Sequence, residues 1–181
     1  MPKIIIVILC LGLFSGCATI PEEQCAKVDW HNLGVQDGLA GYSAANRLAR
    51  HREACFGVKI VPDEKRYLQG HQIGLVEYCH PENAVRQGLA GRLYSNVCDQ
   101  RFGNIYHAAY AVYSLKQQIN SNLSRVSGKE DELRDEKSAK RRDRLRSEIR
   151  ELDRQRETLR NELYSAEREL ERLRKSFSSY R

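Results

Sequence analysis

YLQGHQIGLVEYC, residues 67–79, places Gly70 and Gly74 inside a segment that otherwise reads as a helix, and VRQGLAGRLYSNVC, residues 85–98, repeats the device with Gly88 and Gly91. A glycine in a helix interior costs about 1 kcal/mol against alanine, so rows of glycines need a compensating gain. Trp30, Gly34, Gly38 and Gly41 are spaced by 4, 4 and 3, and Tyr67, Gly70, Gly74 and Tyr78 by 3, 4 and 4. Such spacings put residues on one helical face. Gly88, Gly91 and Ser95 make a shorter third stripe. The pattern predicts a diverged internal repeat of one helical unit, in which missing side chains let helices approach more closely than the usual 8–10 Å. Gly41 and Gly91 read equally well as helix-ending turns.

Helices are expected at about 29–41, 44–56, 63–79 and 82–97. Pro62-Asp63 and Pro81-Glu82 mark two starts, since proline is tolerated in a first turn and an acid there favours the helix dipole. No convincing strand alternation occurs. A further helix at about 102–126 carries Phe102, Tyr106, Tyr110 and Tyr113 as an aromatic ridge. Its rings are expected to lie in a glycine groove and to offset the glycine penalties by their burial.

Residues from about 129 onward contain no glycine, proline or cysteine. There Leu145, Ile149, Leu152, Arg156, Leu159, Leu163, Ala166, Leu170, Leu173 and Phe177 alternate steps of 4 and 3. This heptad predicts a coiled-coil seam. Ser127-Gly128-Lys129-Glu130 resembles a capping box, which places a break near 127 and a long helix over 129–177. Arg156 occupies an a position, where a polar residue specifies register or partner at some loss of stability. The run before the seam holds Lys137, Lys140, Arg141, Arg142, Arg144 and Arg146 against one acid, Asp143. It is a candidate dock for phosphate or carboxylate groups, set against the plainer reading of a solvated helix turn.

The first residues are MPKIIIVILCLGLFSGCATI. The apolar run Ile4–Phe14 reaches only about 17 Å as a helix, short of the ~20 residues a bilayer core requires, so it reads as a secretory signal peptide. Phe14-Ser15-Gly16-Cys17 resembles the lipobox of bacterial lipoproteins, with Phe14 departing from the usual aliphatic residue. The resemblance implies that residues 1–16 are removed and that Cys17 carries the lipid. Ala18, where such lipoproteins retained at the inner membrane often have aspartate, implies the outer membrane.

Cys10 leaves with the signal and Cys17 with the lipid. Cys25, Cys55, Cys79 and Cys98 remain, an even number in an oxidising compartment, and so predict two disulfides. Of the three connectivities, expected helix ends favour Cys79–Cys98, which leaves Cys25–Cys55. A zinc site joining these thiols to His51, His71 or His80 is the rival, and the absence of any CxxC pair weighs against it. No metal or other cofactor is expected. The net charge is +6, or +5 once Lys3 is removed (29 basic, 24 acidic). That excess supports weak attraction to envelope polyanions, and nucleic acid is not an expected partner.

No HExxH, GxSxG, phosphate loop or dinucleotide fingerprint is present, and His51-Arg-Glu53-Ala-Cys55 lacks the proline–cysteine pair of a zinc deaminase. The protein is therefore read as a non-enzyme. The cysteine and Trp30 after the lipobox, LGVQDGLAG, YLQGHQIGLVEYC and GLAGRLYSNVC together resemble a family of uncharacterised proteobacterial lipoproteins grouped as a domain of unknown function, over about residues 17–115. The resemblance brings no activity with it.

The expectation is an all-α protein. A signal peptide, 1–16, and a lipidated linker, 17–28, precede a disulfide-braced head, 29–126, with glycine-striped helices. A charged tail, 129–181, projects as a coiled coil. The expected role is that of a structural or adaptor protein at the periplasmic face of the outer membrane. Its contacts would be an envelope protein, peptidoglycan or a second copy through the tail. The competing role is binding of an anionic glycolipid or phospholipid.

Overall fold

A computed structural model describes residues 20–178. The expected signal peptide, 1–16, the expected lipidation site Cys17 and residues 179–181 lie outside the described residues. Among the described residues there is a 3-10 turn, Glu22–Lys27, then six α-helices and no strand. The helices are α1 (Trp30–Leu39), α2 (Ala44–Ala54), α3 (Glu64–Tyr78), α4 (Pro81–Leu89), α5 (Gln100–Asp135) and α6 (Ala139–Ser178). The all-α class and the disulfide-braced, glycine-striped head are as the sequence predicts.

The helix starts follow from local chemistry. Asp29, Asp63 and Asp99 accept backbone N–H groups of the first turns of α1, α3 and α5, satisfying donors that have no partner inside the helix. Pro81 opens α4. Gly41 and Gly91 terminate α1 and α4 in the same way, with φ of +72° and +66°. In one, Tyr42 N–H bonds the Asp37 carbonyl and Gly41 N–H the Gly38 carbonyl. In the other, Arg92 N–H bonds Gln87 and Gly91 N–H bonds Gly88. These are Schellman closures, which need a left-handed residue after the cap. They correct two expectations: α4 stops at Leu89 rather than running to 97, and Ser95 lies in a loop, not on a glycine stripe.

Two glycine-paired units form the head. In the first, α1 and α3 run in the same direction, with α2 carrying the chain back between them. A Cβ on Gly34 would meet the α3 backbone at Tyr67 and His71, and one on Gly38 would meet it at His71 and Leu75. The relation is mutual, since Gly70 and Gly74 face the α1 backbone at His31–Val35 and Val35–Leu39. In the second unit Gly88 of α4 meets Tyr106 and Tyr110 backbone atoms of α5, and Gly91 lies under the Tyr113 ring as Gly41 lies under Tyr78. His71 Nε2–H donates to the Tyr42 carbonyl (2.8 Å), and Tyr106 O–H donates to the equivalent Arg92 carbonyl (2.6 Å). The internal repeat is therefore a pair of parallel helices used twice. The groove fillers differ from the expectation: partner backbone occupies the grooves at Gly34, Gly38, Gly70, Gly74 and Gly88. Among the stripe glycines described, a ring lies over the glycine at the two closures, Gly41 and Gly91.

Two disulfides join the expected partners, Cys25–Cys55 and Cys79–Cys98. The first ties the 3-10 turn to the end of α2. The second ties the end of α3 to the loop before α5. The units meet where Tyr78 stacks on Phe102, with ring centroids 5.7 Å apart.

The tail is corrected in two respects. Helix α5 continues through 127 to Asp135, because Val126, Lys129 and Leu133 extend its inward face beside Gly128, whose own side is open. The break falls at Glu136–Ser138, where no apolar side chain extends the seam. The tail also does not project alone. Helix α6 folds back antiparallel along α5, so that Lys129 pairs with Glu148, Asn122 with Leu152 and Lys116 with Glu167. Leu145, Leu152 and Leu170 of the predicted heptad are buried against α5, and Leu170 joins the Phe102, Ile105, Ala109 and Val112 cluster of the second head unit.

Candidate functional site

Two places concentrate functional side chains: the α5–α6 arm with its basic tip, and a buried polar network in the first head unit.

The arm is an antiparallel helical pair. From Phe102, beside Tyr78, helix α5 runs about 50 Å to its end at 1.5 Å per residue. The inward face of α5 carries a heptad of its own, Val112, Leu115, Ile119, Asn122, Val126, Lys129 and Leu133. Three polar residues interrupt the seam: Lys129, which pairs with Glu148 (3.2 Å), Asn122 and Arg156. Asn122 is buried and donates through Nδ2 to the Leu152 carbonyl (3.0 Å), while its Oδ1 has no hydrogen-bond partner. Arg156, one turn further along α6, keeps 20% of its side chain exposed and binds Asp153 at 2.6 Å. Polar groups on a two-helix seam fix register at a cost in stability.

The basic run lies at the tip. Lys137 sits in the turn, and Lys140, Arg141, Arg142, Arg144 and Arg146 lie on the first turns of α6, all exposed. The fold partly neutralises them. Arg141 pairs with Glu136 (3.0 Å), Arg146 with Asp143 (3.1 Å) and Arg144 with Glu148 (3.9 Å). Lys137, Lys140 and Arg142 make no ion pair among the described residues. The hairpin thus brings the run together with the acidic end of α5, an arrangement hidden from a reading of α6 alone. Arg156 is distant in sequence from this tip and belongs to the seam.

The polar network was missed by sequence reasoning. Asp37 is 3% exposed. Its Oδ2 accepts from Tyr67 O–H and from His51 Nε2–H, each at 2.8 Å, and its Oδ1 accepts from Arg47 Nε at 3.0 Å and Nη2 at 2.9 Å. Burial alone would raise its pKa; the hydrogen bonds from His51, Arg47 and Tyr67 and the Arg47 charge prevail and hold the carboxyl at about 2. Burial, then the bond to Asp37, pushes the Tyr67 phenol up. The network clamps α1, α2 and α3 together, and Trp30 and Tyr67 rings flank His51. One signal could have revealed it: Asp37 lies on the glycine stripe between Gly34 and Gly38, and an acid on a buried face requires donors.

The four head cysteines are spent in disulfides, and among the described residues no group of three His, Cys, Asp or Glu side chains could hold a metal ion. His71 is engaged with the Tyr42 carbonyl and His51 with Asp37. The grooves beside the arm are open and shallow, lined in one case by Arg125, Lys129, Glu148 and Gln155.

No curated protein and no solved structure matches the chain. Residues 29–112, which hold the paired helices of both glycine units and stop where the arm leaves the head, match the model of an uncharacterised family described as Protein of unknown function (DUF2799).

Proposed function

We propose that this protein is a bacterial envelope lipoprotein, anchored through Cys17 at the outer membrane, that works as a structural adaptor. The head is its rigid base and the α5–α6 hairpin its partner-holding arm. The observation that carries this reading is the arm: a helical pair that continues about 35 Å past the family-matched region, with Leu123 and Tyr164 exposed along it. Two packed helices leave both flanks open to a third element, whether an envelope protein, a second copy or the peptidoglycan wall. The proteobacterial and lipoprotein character rests on the lipobox resemblance and the disulfide-bearing head. Among the described residues no helix is long and apolar enough to cross a membrane, so attachment in this reading depends on the lipid.

The unpaired Lys137, Lys140 and Arg142 favour a second reading, in which the tip binds an anionic glycolipid or phospholipid headgroup. One experiment separates the two. Photoreactive side chains are placed at Leu123, Tyr164 and Lys140 in the full chain in living cells, and adducts are identified by mass spectrometry. A protein or wall adduct from Leu123 or Tyr164 supports the adaptor. Lipid adducts confined to Lys140 support the headgroup reading and overturn the adaptor.

A further inference from the structure

We infer that the turn Cys55–Ile60 and the following Val61 form an apolar foot that rests on the lipid bilayer and sets the orientation of the head; this rests on the lipid-anchored reading above. Phe56 is 82% exposed and Val61 78%, with Val58 also exposed between them. Single exposed apolar residues are ordinary, but three within six positions on one tight turn form a concentrated patch.

The turn is rigid and its place is defined. Lys59 N–H bonds the Phe56 carbonyl and Ile60 N–H bonds the Cys55 carbonyl. Cys55 is bridged to Cys25, the Glu22 carboxylate packs against Gly57, and Ile60 packs into the same cluster as Ile20. The chain therefore enters the head beside this turn. Cys17 precedes Ile20 by three residues, a span of at most about 11 Å when fully extended. An acyl anchor at Cys17 sits at the bilayer interface, and so short a tether holds the Ile20 edge of the head against the headgroup layer. Phe56, Val58 and Val61 are the exposed large apolar side chains of the turn beside this edge, and apolar and aromatic groups are favoured at that depth. Glu22 and Glu23 are balanced on the same edge by Lys27 and Lys59, so the contact is apolar rather than an attraction to anionic lipid.

The test uses the full lipidated chain in phosphatidylethanolamine–phosphatidylglycerol vesicles with brominated acyl chains, which quench tryptophan at close range. Phe56→Trp is compared with Leu93→Trp, a control in the second unit at a residue 93% exposed; buried Trp30 gives both the same background. The foot predicts quenching at Phe56→Trp at least about twofold that at Leu93→Trp, unchanged when phosphatidylglycerol is replaced by uncharged phosphatidylcholine. Equal quenching in chains that float with the vesicles overturns the foot and leaves the anchor intact. Chains that do not float overturn both. A concentration-dependent blue shift of Phe56→Trp without lipid assigns the patch to a second copy and overturns the proposal.

Discussion

Gly38 and Gly74 face each other across α1 and α3. A Cβ on Gly38 would lie 3.1 Å from the Gly74 carbonyl carbon, and one on Gly74 would lie 3.0 Å from the Gly38 carbonyl carbon. Neither helix has a flexible group there to move aside, because each glycine abuts backbone.

Gly38→Ala and Gly74→Ala are therefore expected to destabilise the head by about 2–3 kcal/mol each through overpacking. Gly128→Ala, with nothing within 4 Å, is expected to stabilise α5 by about 1 kcal/mol, the helix-propensity difference. Urea unfolding of the three variants checks the contrast. Equal effects at Gly38 and Gly128 would remove close packing as the reason for the stripes.

Asp37 makes the first unit sensitive to acid. Its carboxyl is held at about 2 against an ordinary 3.8. A depressed carboxyl contributes stability that is fully present above the unfolded value and is lost as pH falls through the folded one. The native protein is expected to lose about 2 kcal/mol from this group between about pH 4 and pH 2, at 1.36 kcal/mol per pK unit. Asp37→Asn is expected to be weaker at neutral pH, since half-buried Arg47 loses its counter-charge and His51 and Tyr67 lose a carboxylate acceptor, and to approach the native protein towards pH 2. Denaturant midpoints across that range read the convergence.

The disulfides close loops with sequence separations of 30 and 19. Loop-closure entropy gives about 3–4 kcal/mol for each. Each single-bridge variant is expected to have a lowered unfolding midpoint, lowered once more on reduction, with Cys25–Cys55 loss loosening the turn at Phe56 and Cys79–Cys98 loss loosening the join between the units. Hydrogen exchange at each location distinguishes them.

Leu170 is a core residue despite its place near the end of α6. Leu170→Ala is expected to cost about 2–4 kcal/mol. Removal of 139–181 is expected to yield an aggregating protein, because it uncovers the cluster around Phe102, Ile105 and Val112. A clean test of the arm shortens both helices in register, deleting 119–132 and 143–156. That variant is expected to stay folded by circular dichroism and to lose the arm's crosslinks.

Asn122→Leu removes a buried acceptor that has no partner. Although the bond to the Leu152 carbonyl goes too, a net gain of about 1 kcal/mol is expected. Sedimentation velocity should show at the same time whether the polar seam restrains self-association.

The presence of the helices, the starts at Pro62-Asp63 and Pro81, the exclusion of strands and the leucine heptad of α6 were legible from the residues, because periodicity and capping act over a few positions; the ends of α4 and α5 were not. The cysteines were legible as disulfide formers for the same kind of reason: an even number of them left after the expected signal and lipid sites requires no fold to suggest pairing. What fills the glycine grooves was not legible. A bare face says only that something comes close, and whether a ring or a backbone does so depends on pairing α1 with α3 some thirty residues away. The Asp37 network needed that same pairing, since its donors come from α2 and α3. The direction of the tail was decided by tertiary structure as well: one heptad seam fits a second chain or a neighbouring helix equally, and the apolar face of α5, carrying Val112, Ile119 and Val126, folded α6 back onto the head.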